Sequence, residues 1–260
     1  MYDFPEVQNS SEKLLVALVE ALESCNETAH VQTPGSSVHA ELMKMWRSKD
    51  MVLSQSCGLP FMEELHQFVN VIGTPTWTDV SDEHGRYQTV IVVRESLGVS
   101  SIAEVGGLRP VVSNTQSLSG WCSLGVALSK VTTEPSFVQP FTQSGGHAKS
   151  LQMLQDDEAD IASIDAATFR LLSRHHSALT NNTRVIGRGP LVPATPFIVS
   201  KTCGVSTGKV FQAVEEVFQR PSLQEALDNI GISGFVRLAN SDYDMLSDLV
   251  KTAEVVLPRR

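Results

Sequence analysis

The chain has 260 residues, 42 % of them hydrophobic and 19 % charged, with a formal net charge of −9. This is the balance of a folded globular chain, long enough for one large domain or two modest ones. The acidity disfavours a nucleic-acid binder, and no apolar run reaches the roughly 18 to 20 residues of a membrane span. Four cysteines, Cys25, Cys57, Cys122 and Cys203, lie far apart without a CxxC pair, so neither a zinc knuckle nor a disulfide scaffold is indicated.

Met1 to Val7 reads MYDFPEV, which lacks the basic and apolar regions of a secretory signal. As it stands the sequence reads as cytoplasmic, and as periplasmic if a leader has been removed. Ser10 to Glu23 places Leu14, Leu15, Leu18, Val19 and Leu22 on one helical face, with Ser10 or Ser11 as the cap. A second helix is expected over Ser37 to Trp46. Asp50 to Gly58 reads as a strand entering a turn, and Phe61 to Val69 as helix. Val69 to Gly73 and the β-branched run Tyr87 to Glu95 read as strands.

The middle of the chain alternates more regularly. A short helix over Ser101 to Val105 is followed by a strand over Arg109 to Asn114 and a helix over Ser119 to Val131. A strand over Phe137 to Thr142, a helix over Gly146 to Asp157, a strand over Asp160 to Asp165 and a helix over Ala166 to His175 complete it. This alternation predicts α/β architecture with a parallel or mixed sheet. Arg184 to Gly187 and Pro196 to Ser200 read as further strands, and the chain from Thr207 onward as mostly helical. The regular middle, bracketed by looser pattern, predicts lobe II over 91–185 inserted into a discontinuous lobe I of 1–90 plus 186–260.

Three strand-to-helix crossings carry polar groups suited to a ligand. In Asn114 to Gly120, NTQSLSG, the N–H groups of Leu118, Ser119 and Gly120 open a helix beside the hydroxyls of Ser117 and Ser119. Free donors and the positive dipole end point the same way there, which suits an oxyanion; a simple serine cap is the alternative. In QSGGHAKSL, two glycines precede His147 at a helix start, where the ring can donate to an anion or serve as a surface cap. In DIASID, Asp165 ends a strand as either an N-cap or a ligand acceptor. Ser54 to Pro60, SQSCGLP, is a further crossing, and Tyr87 stands where the flank meets the middle.

Other patterns fail on spacing. Gly204 to Lys209, GVSTGK, is one residue short of a phosphate loop, and Val210 stands where a magnesium-binding hydroxyl is needed. There is no GxGxxG or GxSxG. His175 and His176 are adjacent and cannot chelate from one helix face. The reading is therefore of a chain without cofactor or metal.

Taken in order, SQSCGLP, the GTP of Gly73 to Pro75, YQTVIVVR, VSNTQSLSGW, SGGHAKSLQML and DEADIASIDAATF closely resemble one family over about Val52 to Ser200. It is the PhnD-like phosphate/phosphite/phosphonate solute-binding proteins of ABC transporters. The resemblance implies a type II periplasmic-binding-protein fold, two α/β lobes with a ligand cleft between them, and no enzymatic activity. It implies a small anionic ligand and an ABC permease as partners. Carried over residue by residue, Ser117 and Ser119 match the hydroxyl positions. Leu118 stands where a threonine is often found, so only its N–H is offered. His147 matches the family histidine and Tyr87 an aromatic residue of the cleft, while Gln55 and Asp165 match by position. Asp165 would repel a full dianion but accept a proton from a P–OH group or pair with an amine, which disfavours sulfate.

Two other readings compete. One is a cytosolic sensor or orphan binding protein that kept the fold. The other is an enzyme similar to the pyrimidine-synthesis proteins of thiamine metabolism, whose cysteine-rich motif is not found here. Residues 91–185 hold seven basic and eight acidic side chains, a net charge of −1, and the remainder carries −8. The expected anion site thus falls in the nearly neutral part of the chain.

Overall fold

The computed structural model describes residues 4–25, 30–32 and 39–259. Ser37 and Val38, at the expected start of the second helix, and Met1 to Asp3 lie outside them. Contacts divide the chain into two units. One comprises the described residues up to Arg86 together with Pro193–Asp244, and the other comprises Tyr87–Val192 together with Met245–Arg260.

The first unit begins with a 3-10 turn, Pro5–Val7, leading into α1, Gln8–Glu23. The helix starts two residues before Ser10 and takes no side-chain cap, because Pro5 already fixes the entry; Ser10 is instead buried. Leu14, Ala17, Leu18, Ala21 and Leu22 form its buried face, which packs on α7 (Thr207–Phe218) and α8 (Gln224–Ile230). α2 (His39–Trp46) buries Met43 and Trp46. The sheet has the order β1, β10, β2, β11, where β1 is Ser54–Gln55, β2 Val69–Trp77, β10 Phe197–Ser200 and β11 Ile232–Val236. All three pairings are antiparallel. Gly73 lets β2 lie close to β11, because a Cβ there would strike the Val236 carbonyl and the Phe235 ring. Phe197, Phe218 and Phe235 stack against one another with centroids 5.1–6.1 Å apart, and Phe211 joins Phe235 at 5.8 Å.

The second unit holds a mixed five-stranded sheet in the order β6, β5, β7, β4, β8. These strands are β4 Thr89–Arg94, β5 Pro110–Val112, β6 Thr142–Gln143, β7 Ile161–Asp165 and β8 Thr183–Arg188. β5 runs parallel to β6 and β7, while β4 runs antiparallel to β7 and β8. β7 is buried at every residue and β4 at all but Arg94, and β4 accordingly reads as a nearly continuous β-branched run. The helices are α4 (Ser123–Ser129), α5 (His147–Gln155), α6 (Ala166–His175) and α9 (Leu246–Val256). Arg94 and Arg109 converge on the buried Asp160 at 2.7 and 2.9 Å, tying the starts of β5 and β7 to the end of β4.

Three expectations change. Phe137 to Thr142 is not a strand: a 3-10 turn covers Pro135–Phe137 and only Thr142–Gln143 pairs, since Pro140 can donate no ladder bond. β11 interrupts the expected helical C-terminus. Residues 245–260 group with the second unit rather than with the first flank. The reason is local: Gly125 of α4 lies against Ala253 of α9 so closely that a Cβ would come within 2.7 Å of Ala253 Cβ. Trp121 Nε1 also donates to the Leu257 carbonyl at 2.9 Å, and the Arg259 guanidinium covers the Trp121 ring at 4.5 Å.

Candidate functional site

The serine crossing after β5 is shaped by its own side chains. Asn114 forms a small turn: its Oδ1 accepts the Gln116 N–H at 3.0 Å and its carbonyl the Ser117 N–H at 3.3 Å. Ser117 then caps the helix start, its Oγ accepting the Gly120 N–H at 2.9 Å. The first turn, Leu118–Cys122, is wound as a π-helix before α4 continues. Here the Ser117 carbonyl accepts the N–H groups of both Trp121 and Cys122 at 3.1 Å. Among the described residues, the N–H groups of Leu118 and Ser119 take no protein acceptor. The Leu118 side chain is buried in the core, so this residue offers the site its N–H alone.

Gly120 is required here. A Cβ would fall onto Ser113 Oγ, lie 2.9 Å from the Ser113 N and stand 3.1 Å from Ser117 Oγ. The serine turn therefore packs directly on the end of β5. Ser113 Oγ is itself buried without a hydrogen-bond partner.

The second crossing is anchored to the same strand end. Ser144 N–H donates to the Val112 carbonyl at 2.9 Å and Gly145 N–H to the Ser113 carbonyl at 2.8 Å. Gly145 adopts φ +90°, a conformation that favours glycine. These bonds set His147, first residue of α5, against the serine turn, with its Nε2 2.8 Å from Ser119 Oγ. His147 Nδ1 is buried without a partner. Burial pushes the imidazole below its ordinary value of 6.5, against the opposing pull of the Asp165 carboxylate. The ring is therefore neutral at pH 7.

Asp165 is fully buried at the end of β7 and caps α6, its Oδ1 accepting the Thr168 N–H at 2.8 Å. It is thus a cap whose charge also reaches His147. Tyr87 is buried in the second unit. Gln55 belongs to the first unit, where its Nε2 donates to Thr195 Oγ1 at 2.8 Å. The structure thus brings Ser117, Leu118, Ser119 and His147 together around one strand end. Sequence reading missed Asn114, Ser113 and Gly120 as builders of this turn. The Asn114–Gln116 spacing carried the Asx-turn signal, whereas the tight approach of Gly120 to Ser113 had no local signal.

The arrangement is a compact cradle of amides, hydroxyls and an imidazole on an α/β fold. Among the described residues no cluster of His, Cys, Asp and Glu is arranged to hold a metal, and no helix is long and apolar enough to cross a membrane. The fold is matched by PhnD1 from Prochlorococcus marinus (MIT 9301) in complex with methylphosphonate. That likeness has TM-score 0.77 and 15 % identity, and covers 96 % of this chain and 95 % of that one. A binding-protein component of an ABC phosphonate transporter, PA3383 from Pseudomonas aeruginosa, matches with TM-score 0.73 and 13 % identity over 95 % of this chain and 82 % of that one. XAC2383 from Xanthomonas citri bound to ATP matches with TM-score 0.69 and 13 % identity over 94 % of both. The protein thus has the type II periplasmic-binding-protein fold, as the motif order implied. No curated protein matches its sequence. The family profile described as "ABC transporter, phosphonate, periplasmic substrate-binding protein" matches residues 7–243, and the chain belongs to that family.

Proposed function

We propose that this chain captures a small phosphorus oxyanion (a phosphonate, phosphite or phosphate) at the serine turn and delivers it unchanged to an ABC permease. The observation that carries this reading is the pair of unpartnered N–H groups of Leu118 and Ser119 flanked by the Ser117 and Ser119 hydroxyls. Four donors converge with the positive end of a helix, which suits a tetrahedral anion without any cation. A neutral His147 and a nearly neutral lobe fit the same picture, because they leave the ligand to be held by dipoles. Asp165 supplies a fixed negative charge near the cradle. It favours a ligand bearing a proton or an amine over a fully ionised dianion. Tyr87 and Gln55 enter the proposal on the family resemblance alone.

Calorimetry with methylphosphonate, phosphite, phosphate and 2-aminoethylphosphonate tests this reading, with sulfate as the control. One of the phosphorus anions binds with 1:1 stoichiometry, sulfate binds more weakly, and Ser119→Ala loses about tenfold or more in affinity. No heat with any phosphorus anion contradicts the assignment. Sulfate binding as tight as the best of them contradicts the role given to Asp165.

A further inference from the structure

We propose that the outer face of α1 is the contact surface of a symmetric homodimer, in which α1 packs antiparallel on the same helix of a second copy. This face belongs to the first unit and the serine turn to the second, so the proposal is independent of the anion site.

The buried face of α1 is taken up by α7 and α8. The opposite face of such a surface helix is ordinarily polar. Here Leu15 is 44 % exposed and Val16 57 %, and both share that face with the half-buried Val19. Beside Val16 runs an open groove of about 630 Å3 between α1 and the 3-10 turn Pro221–Leu223, with the buried Ala17 and Leu223 in its lining. Apolar side chains scattered singly over a surface need no partner, but three together beside an apolar groove form a patch.

The charges around Val16 select the occupant. Glu12, Lys13, Val16 and Glu20 recur at three- and four-residue spacing and so share one stripe of the helix. Glu12 and Lys13 stand one turn before Val16. Glu20 stands one turn after it, with the Arg220 guanidinium 3.6 Å from its carboxylate. Each end of the stripe thus carries one acid and one base, and the patch is neutral within a chain of net charge −9. Among the described residues Lys13 has no ion-pair partner. A strongly acidic or basic partner finds no net charge to match there, whereas a second copy does. A two-fold axis through Val16 lays the Glu12–Lys13 end of one helix over the Glu20–Arg220 end of the other. Lys13 then meets Glu20 of the partner subunit, Glu12 meets Arg220 of the partner subunit, and both pairs occur twice about an apolar centre. The surface covered is small, which makes the dimer weak and concentration-dependent.

Sedimentation equilibrium of the full chain over a concentration series tests this. The expected result is a mass that rises with concentration from 28.3 kDa toward twice that value. Val16→Glu sets two carboxylates against each other at the centre and returns the monomer. Lys13→Glu, or Glu20→Lys, opposes like charges twice and raises the dissociation constant about tenfold. These side chains are exposed, so none of the substitutions disturbs the core. The decisive arm mixes the Lys13→Glu protein with the Glu20→Lys protein. Across the two-fold axis the pairs formed by positions 13 and 20 are again opposite in sign, so the mixture dimerises about as well as wild type while each variant alone does not. A mass that stays at 28.3 kDa up to about 0.5 mM overturns the proposal. A dimer that Val16→Glu leaves intact overturns it too, by placing the contact on another surface. So does a mixture that dimerises no better than its components, which removes the reciprocal pairs.

Discussion

Gly120 marks how tightly the site is built from individual side chains. Its missing Cβ is the space occupied by Ser113 Oγ, so Gly120→Ala forces the serine turn off the end of β5. We expect it to cost about 1–3 kcal/mol of stability by overpacking and to weaken anion binding more than Ser119→Ala does. Denaturant unfolding and calorimetry check both, and an unchanged affinity would remove the tight packing from the account. His147 gives a pH signature at the same scale. Its folded-state value lies below the ordinary 6.5, so the unfolded chain binds the extra proton first as pH falls. Its contribution to stability is complete above about pH 6.5 and declines as pH drops through the depressed folded value. Comparing wild type with His147→Gln between pH 7.5 and 5 isolates it; parallel stability curves would show that the ring is not held neutral. Ser117, Ser119 and His147 were legible in the sequence as polar residues at helix starts. Asp165 was legible only as a cap or a ligand acceptor; it caps α6, and the sulfate control tests the second role.

Elements were legible where the pattern was strong. α1 and α6 and the buried strands β4 and β7 read from periodicity or from β-branched runs, because burial on one or both faces dictates those patterns. The π-wound first turn at Leu118–Cys122 was not legible, since no propensity distinguishes it from an ordinary helix start. It nonetheless gives the Ser117 carbonyl two N–H donors, those of Trp121 and Cys122. β11 was lost because Gly234 and the polar Ser233 dilute its pattern, and its partner in β2 is far away in sequence. Asp160 illustrates an element-scale bond. The hydrogen bonds of Arg109, reinforced by Arg94, hold its carboxyl well below the ordinary 3.8. The stabilisation it gives is present above about pH 4 and is lost as pH falls through the depressed folded value. Asp160→Asn should therefore lower stability at pH 7 and flatten the acid limb of the unfolding curve. An acid limb identical to that of wild type would show that this cluster does not join β4, β5 and β7 as described.

At the scale of the whole molecule, the α/β class and the order of motifs were legible, and the ownership of the C-terminus was not. Residues 245–260 pair with the second unit through the Gly125–Ala253 approach and the Trp121–Leu257 bond, contacts that span more than a hundred residues. Removal of residues 246–260 should uncover Trp121 and α4, red-shift the tryptophan emission and lower the melting temperature. Unchanged emission and melting would contradict the packing of α9 on α4. The charge distribution also becomes intelligible at this scale. A net charge of −9 is no obstacle to an anionic ligand when the donors are amides and hydroxyls in a part of the chain that is nearly neutral.

The central claim is that the serine turn holds the ligand, and a crystal structure of the protein grown with the best-binding phosphorus anion tests it most directly. The account predicts a tetrahedral anion within hydrogen-bond distance of the Leu118 and Ser119 N–H groups and of the Ser117 and Ser119 hydroxyls. A ligand seated elsewhere, with those amides still unoccupied, would contradict it.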